Sequence, residues 1–547
     1  MWAKNALLLG IATATGVAFA ASVFPSSTAP AHWRAISKSE IAPTSDFQAA
    51  LLRVDASFRG QWKESEVAPA PLAPELAVAR RLSLALTGAI PSLEEIRMFQ
   101  ARADNDRLAW WTAGLLKDRR SSDYLAERFA RAYVGVANGP FLIYRRRRFV
   151  SWLADQLNEN RPYDQIVRDL IASDGLWTSQ PATNFITATI VQGEGKGPDE
   201  TALAGRVSRA FLGLRIDCAE CHDHPFDVWT EDDFHGLAAF FGKTEQSFTG
   251  IREGKQPYER EDRETGETRV IEPAVPFAQA LLPEGKNRRR RLAAWVTHVD
   301  NKAFARATVN RVWALLYGRP LVEPVDNIPS QEASQGDVPP ALDILADDFA
   351  SHGYDLRRLI KLMAASEVFR LDSLEADGLT DQQFQDAQAL GAIFPVTRLR
   401  PEQVVGALLQ AGSIQTIDYQ SHIFVRIARA TGQSNFVKRY GDAGEDELAA
   451  HGGTIPQRLL LLNGNLVKEK TKPDLLSNAA TQIAMIAPDD HQAVEAVFLA
   501  VLTRYPTPEE ASHFQAKLRG SKQKERQRLL EDMYVALLNS TEFSWNH

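Results

Sequence analysis

The sequence predicts a mainly α protein: two helical domains with a small β-containing surface excursion between them. Three observations point there. Apolar residues recur at helical spacing through most of the chain, and helix-capping signals punctuate both halves. Only residues 243–285 carry clustered turn and strand signals. The 547 residues, 44% hydrophobic and 24% charged, suit a soluble chain with two or three domains and a buried core. A net charge of −7 lacks the basic footprint that nucleic-acid binding needs, so no nucleic-acid partner is expected.

The first residues, "MWAKNALLLGIATATGVAFAASVF", read as an export signal over 1–20. Lys4 gives a short positive start, Ala6 to Val23 is apolar, and Ala18-Phe19-Ala20 forms an A-x-A cleavage site. The apolar run is almost long enough to span a bilayer, so retention as an anchor is the alternative to cleavage. In both cases the body of the chain is expected in the periplasm or cell envelope, with membrane contact only through this segment if uncleaved. Residues 21–74, with scattered prolines, read as an arm and linker.

A first helical domain is expected over 75–242. Ser92 with Glu95 forms a capping box after Pro91, and Leu93, Ile96 and Phe99 follow as an apolar stripe. Residues 149–173 read as two helices broken at Asn160-Arg161-Pro162, with Asp164 near the second start, and residues 201–216 as one more. Thr230 with Asp233 makes a second capping box, and Phe234, Leu237, Ala238 and Phe241 share one face.

The polar stretch 243–285 reads as a surface excursion with one hairpin. The second helical domain, 286–547, opens with a helical stretch over 290–318 that ends at Gly318 as C-cap. Asp355 caps a helix whose Leu356, Leu359, Ile360 and Met363 line one face, and "IPQRLLLLNGNLVKEK" is apolar enough for core. Residues 86–102 resemble 502–517; two similarly capped helix starts explain this more simply than a duplication. The runs Arg145–Arg148 and Arg288–Arg291 read as solvated helix ends. Arg311, Trp313, Asp326 and Asn327 read as architectural, with Arg311 and Asp326 as a candidate pair between the halves.

The chemistry concentrates in "IDCAECHDHPFDVW", residues 216–229, which holds the only two cysteines. Cys218, Cys221 and His222 form a C-x-x-C-H, the spacing of c-type haem attachment. Two thiols add across two vinyl groups on one porphyrin edge, and the adjoining histidine ligates the iron. By composition alone, a chance match is on the order of 10⁻⁴. Export agrees with this reading, since c-type haem is attached outside the cytoplasm; an oxidising compartment also closes a C-x-x-C into a disulfide unless something else captures it. That disulfide is one rival. The other is a zinc or other divalent metal site from Cys218, Cys221, His222 and His224, although four tetrahedral ligands are tightly spaced there. His224 and Asp227 read mainly as loop-fixing hydrogen-bonding groups. His224 is too near in sequence to reach the opposite haem face. His235 is the nearest candidate for the sixth iron position, set against a structural role at the edge of a buried face. Internal methionines that could serve instead are few: Met98, Met363, Met485 and Met533.

These motifs also carry a resemblance. "ARRLSLALTGAIPSLEEIRMF", "NRPYDQIVRDLIASDG" and "AFLGLRIDCAECHDHPFDVWTEDDFHGLAAFFG" resemble the planctomycete cytochrome-like domain, also called domain of unknown function fifteen-forty-nine. "FARATVNRVWALLYGRPLVEPVDNI", "GYDLRRLIKLMAASEVFR", "LLLLNGNLV" and "LLNSTEFSWNH" resemble its companion, domain of unknown function fifteen-fifty-three. The resemblance covers nearly all of residues 75–547 and implies an exported, mostly helical, two-domain protein whose C-x-x-C-H is taken as a haem signature. The family's activity is not established. The chain departs from it in two places. "QGDVPPALDIL" lacks the histidine of the relatives' Asn-Pro-Pro-Ser-His, and "RYGDAGEDELAAHGGTIPQ" lacks their Cys-x-Cys.

The leading expectation is therefore an exported c-type cytochrome-like protein with one covalent haem on Cys218, Cys221 and His222. It would act in electron transfer with a redox partner protein, or in oxidative chemistry on an envelope or polysaccharide-related substrate. The alternatives are an exported interaction protein whose Cys/His cluster is structural, and a metal-dependent hydrolase using His222, His224 and Asp227.

Overall fold

A computed structural model of the chain describes residues 31–547 apart from 103–105, 140–141, 191–196, 255–256, 262–265, 330–337, 374–378, 419–420, 422–435, 438, 442–453, 464–477 and 523. The expected signal over 1–20 lies outside the described residues. Among those described, the protein is mainly helical, with three two-stranded antiparallel sheets. No described helix is long and apolar enough to cross a membrane.

The buried apolar residues form two clusters. The first runs from Trp33 to Phe394, and the second gathers Leu84, Ile90 and residues from Leu399 to Phe543. The core therefore does not divide at the 243–285 excursion. Helices on both sides of it share the first cluster.

At the centre of that cluster lies helix Lys302–Tyr317, buried at every position from Phe304 onward. Such a helix belongs inside a bundle, because no face of it is left for solvent. It ends as expected at Gly318, in the left-handed conformation. Its Asn310 side chain donates to the Val322 and Val325 carbonyls and accepts from the Val322 amide, which clamps the following segment onto the helix.

The expected linker over 21–74 is in part core. Helix Ser45–Glu64 buries Ala50, Val54, Phe58 and Trp62, spaced by four residues. Phe58 stacks on Trp313 with ring centroids 5.8 Å apart, and the Trp62 indole donates to the Leu390 carbonyl. The intervening charges on its outer face hide this stripe in a simple reading of composition.

Helix Glu75–Thr87 joins the two clusters and is buried over ten consecutive residues from Val78. Two of these are arginines. Arg80 donates to the carbonyls of Val501 and Phe543; Arg81 donates to those of His547, Phe369 and Leu371 and lies 3.7 Å over the Phe394 ring. Buried guanidinium groups need such acceptors.

Both paired capping boxes form, on helices Leu93–Ala101 and Pro508–Leu518. In each, the capping glutamate also meets an arginine: Glu95 with Arg120, and Glu510 with Arg504. The two-helix reading of 149–173 holds as Arg146–Asn158 and Tyr163–Ala172.

Other expectations are corrected. The helix expected over 201–216 stops at Val207 and widens into a π-helical turn, Ser208–Leu212. The excursion carries two hairpins, Thr244–Ser247 with Gly250–Glu253 and Tyr258–Glu261 with Thr268–Ile271. Helix Ile455–Asn463 buries Leu461 but leaves Leu459 and Leu462 half exposed; residues 464–470 lie outside the described residues. Arg288 and Arg289 are buried rather than solvated: Arg288 reaches the Ala239 carbonyl, and Arg289 the Ser173 carbonyl and Asp174.

Candidate functional site

The C-x-x-C-H loop hangs between helix Glu200–Val207 with its π-helical extension and helix Glu231–Ala238. Asp199 caps the first helix by accepting from the Ala202 amide. Gly213 closes the π turn at φ 65°, a left-handed conformation that glycine adopts without strain. A Cβ there would come within 3.0 Å of Ile328, whose amide donates to the Gly213 carbonyl.

The loop then alternates buried anchors with exposed chemistry. Ile216 and Ala219 are fully buried, which fixes the single 3₁₀ turn Asp217–Glu220 against the core. Cys218 and Cys221 are both exposed and are not joined in a disulfide. His222 is exposed, and its Nδ1 lies 2.8 Å from the Asp223 carbonyl. A carbonyl only accepts, so Nδ1 carries the proton and Nε2 keeps its lone pair.

The rest of the loop is held by its own hydrogen bonds. The His224 amide donates to the Trp229 carbonyl, and His224 Nδ1 accepts from the Phe226 amide at 3.2 Å. That bond uses the Nδ1 lone pair and puts the proton on Nε2, so His224 in this tautomer presents no free lone pair to a metal. Asp227 accepts from the Val228 amide, and Asp223 from the Glu231 amide. The Thr230–Asp233 capping box forms as expected. The loop-fixing roles expected of His224 and Asp227 match these bonds. Trp229 is buried, whereas Phe226 is 95% and Val228 52% exposed, leaving apolar surface beside the thiols.

His235 is the brace under the loop. It is buried, its Nε2 donates to the Glu220 carbonyl at 3.0 Å, and its Nδ1 accepts from the Tyr258 hydroxyl at 2.8 Å. Both ring nitrogens are thus engaged, and neither is offered to a sixth iron position. Burial lowers the His235 pKa and favours the neutral ring these two bonds require. Burial likewise raises the Tyr258 phenol pKa. Tyr258 carries no signal in the sequence beyond lying in the polar excursion; the structure places it at the start of strand Tyr258–Glu261.

Among the described residues, no three His, Cys, Asp or Glu side chains converge where a metal ion could be held. The zinc alternative on Cys218, Cys221, His222 and His224 therefore has no preformed cluster. Of the methionines, Met363 and Met533 are buried in helices Leu356–Ala365 and Lys524–Leu538, and Met98 lies in helix Leu93–Ala101. Met485 is exposed on helix Ala479–Ile486.

Beside the loop opens a cleft of ≈ 660 Å³, whose lining includes Tyr133, Arg206, Arg209, Arg311, Asp217 and Glu220. The pair expected between Arg311 and Asp326 does not form. Asp326 lines the same cleft as Arg311 but instead meets Arg215 at 2.8 Å. Asp217 lies 3.5 Å from Arg209.

Residues 53–246 match the family PSCyt2, described as a protein of unknown function (DUF1549), and residues 288–425 match PSD1, described as a protein of unknown function (DUF1553). The chain belongs to this paired family. The PSCyt2 match begins inside helix Ser45–Glu64 rather than at Glu75, in agreement with the place of that helix in the first core. Its end near the first hairpin puts the whole C-x-x-C-H loop inside the PSCyt2 segment. No curated protein and no solved structure matches the chain.

Proposed function

We propose that this PSCyt2–PSD1 chain is an exported redox protein that carries one c-type haem on its Cys218–His222 loop. The observation that carries the reading is His222: its Nδ1 proton is committed to the Asp223 carbonyl while Nε2 stays open, beside two exposed thiols. A ligating histidine is oriented in this way by a carbonyl behind it. The surroundings fit the group. Cys218 and Cys221 would hold the macrocycle edge, His222 the iron, and exposed Phe226 and Val228 offer apolar surface for a planar ring to cover. Bound there, haem supplies reversible one-electron chemistry.

With His235 locked between Glu220 and Tyr258, that histidine would not serve as a second ligand to the iron. The haem would stand at the surface, where a redox partner protein can approach its edge. Export is part of this proposal, supported by the signal-like pattern of the first twenty residues. The test is to mature the protein in a periplasm with the haem-attachment machinery and record a pyridine haemochrome spectrum. Cys218→Ala and Cys221→Ala should abolish stable attachment.

One observation favours a second reading. The loop satisfies its own polar groups without a cofactor, so it can stand as a structural platform. On that reading Phe226 and Val228 form a contact surface of a non-redox interaction protein, and the same spectrum would be blank.

A further inference from the structure

The cleft beside the loop contains a charge that no described residue balances. Arg311 is 8% exposed and lines the cavity. Its one side-chain hydrogen bond runs from Nη2 to the Arg209 carbonyl at 3.3 Å, its Nε has no partner, and no described carboxylate pairs with it. A buried guanidinium in this condition is costly unless something else supplies acceptors.

The carboxylates around it are mostly committed elsewhere. Asp199 caps its helix, Asp217 faces Arg209, Asp326 faces Arg215, and Glu323 lies 3.8 Å from Arg319. Glu220 is the exception, on the loop side of the cavity. The floor adds a phenol: the buried Tyr133 lines the cleft, and its hydroxyl is hydrogen-bonded to that of Tyr163. The walls therefore offer Arg311 as a guanidinium with no described carboxylate partner, with the Nε of Arg209 in the same cleft also short of an acceptor, among polar rather than hydrocarbon groups.

We propose that this cleft binds a small hydroxylated carboxylate, a sugar acid in chemical class, with its carboxylate on Arg311 and its hydroxyls toward Glu220. A planar carboxylate takes two parallel N–H donors from one guanidinium, and Nε is the half of that fork now without an acceptor. A neutral sugar could accept from Nε–H but would leave the guanidinium charge unbalanced, and an apolar acid would bury its chain against charged walls. Glu220 and Asp217 flank Cys218 in the chain, so an occupant would lie beside the C-x-x-C-H loop.

The test is titration calorimetry of the mature full-length chain with glucuronate, glucose and sulfate in separate runs. Glucuronate should bind, glucose should not, and sulfate should bind at least about tenfold more weakly, a difference of about 1.4 kcal/mol. Arg311→Lys keeps the charge but loses the planar fork, and should weaken glucuronate by about tenfold or more. Arg311→Met should abolish binding; if that variant fails to fold, Arg311→Lys still decides. Equal binding of glucose and glucuronate, sulfate binding as well as glucuronate, no heat with glucuronate, or an Arg311→Lys protein with wild-type affinity would each overturn the proposal. Haem is not required for this measurement, so its failure leaves the redox reading untouched, and a missing haem leaves this one untouched.

Discussion

His235→Ala separates a brace from an iron ligand. The substitution deletes both partners at once: the donor to the Glu220 carbonyl and the acceptor of the Tyr258 hydroxyl. Leaving a buried polar group without its partner costs about 1–3 kcal/mol. Glu220 is exposed and Tyr258 half-buried, so water recovers part of this at each. The expected loss is therefore about 2–3 kcal/mol, concentrated between Asp217 and Ala238. Tyr258→Phe removes one of the two bonds and should cost about 1 kcal/mol. Together the two changes should cost less than their sum by about 1 kcal/mol, because the second loses a bond the first has already broken. Amide hydrogen exchange reads this locally, and the His224 amide, bonded to the Trp229 carbonyl, is the reporter. In haem-loaded protein the absorption spectrum should not change. A His235→Ala protein within about 0.5 kcal/mol of wild type at that amide, but with an altered haem spectrum, would refute the reasoning and make His235 a ligand.

Three further outcomes follow. Burial holds the His235 pKa below its ordinary value of about 6.5, so the unfolded chain binds the extra proton first. Stability of the loop is then full above about pH 6.5 and falls as pH drops through that value toward the folded-state pKa, and His235→Ala should remove this step from a pH series of hydrogen exchange. Arg120 is buried between Glu95 and Asp118, so Arg120→Ala should destabilise the first core by about 3–5 kcal/mol in chemical denaturation, far more than the exposed Arg269→Ala at its Asp232 pair. Arg215→Ala and Asp326→Asn should each cost under about 1 kcal/mol, with a measurable coupling between them and none between Asp326 and Arg311 in double-mutant cycles.

Much of the fold was legible because it rests on local signals. The Ser92–Glu95 and Thr230–Asp233 boxes and the Gly318 cap act within four residues, the face of Leu356, Leu359, Ile360 and Met363 within two helical turns, and all formed. What the sequence hid depends on distant partners. The stripe Ala50, Val54, Phe58 and Trp62 becomes core only because Trp313 lies opposite. Arg288 and Arg289 look like a solvated run until the carbonyls of Ala239 and Ser173 receive them. The helix expected through 216 ends early because the π turn and Gly213 redirect the chain toward Ile328.

The candidate site divides in the same way. Cys218, Cys221 and His222 stand out by spacing, and the self-bonding of His224 and Asp227 follows from their closeness in sequence. The bracing of His235 by Tyr258 and the pairing of Asp326 with Arg215 rather than Arg311 do not, since each joins separate elements. No periodicity marks Arg311 as a buried charge without a counter-ion among the described residues, because its helix reads simply as core.

The central claim is that the Cys218–His222 loop carries one covalent haem. Intact mass of periplasm-matured protein, taken together with its pyridine haemochrome spectrum, tests this most directly. The account predicts a mass increased by one haem, no free thiol, and a c-type spectrum lost in Cys218→Ala and Cys221→Ala. A mass without haem, with Cys218 and Cys221 bonded to each other, would contradict it.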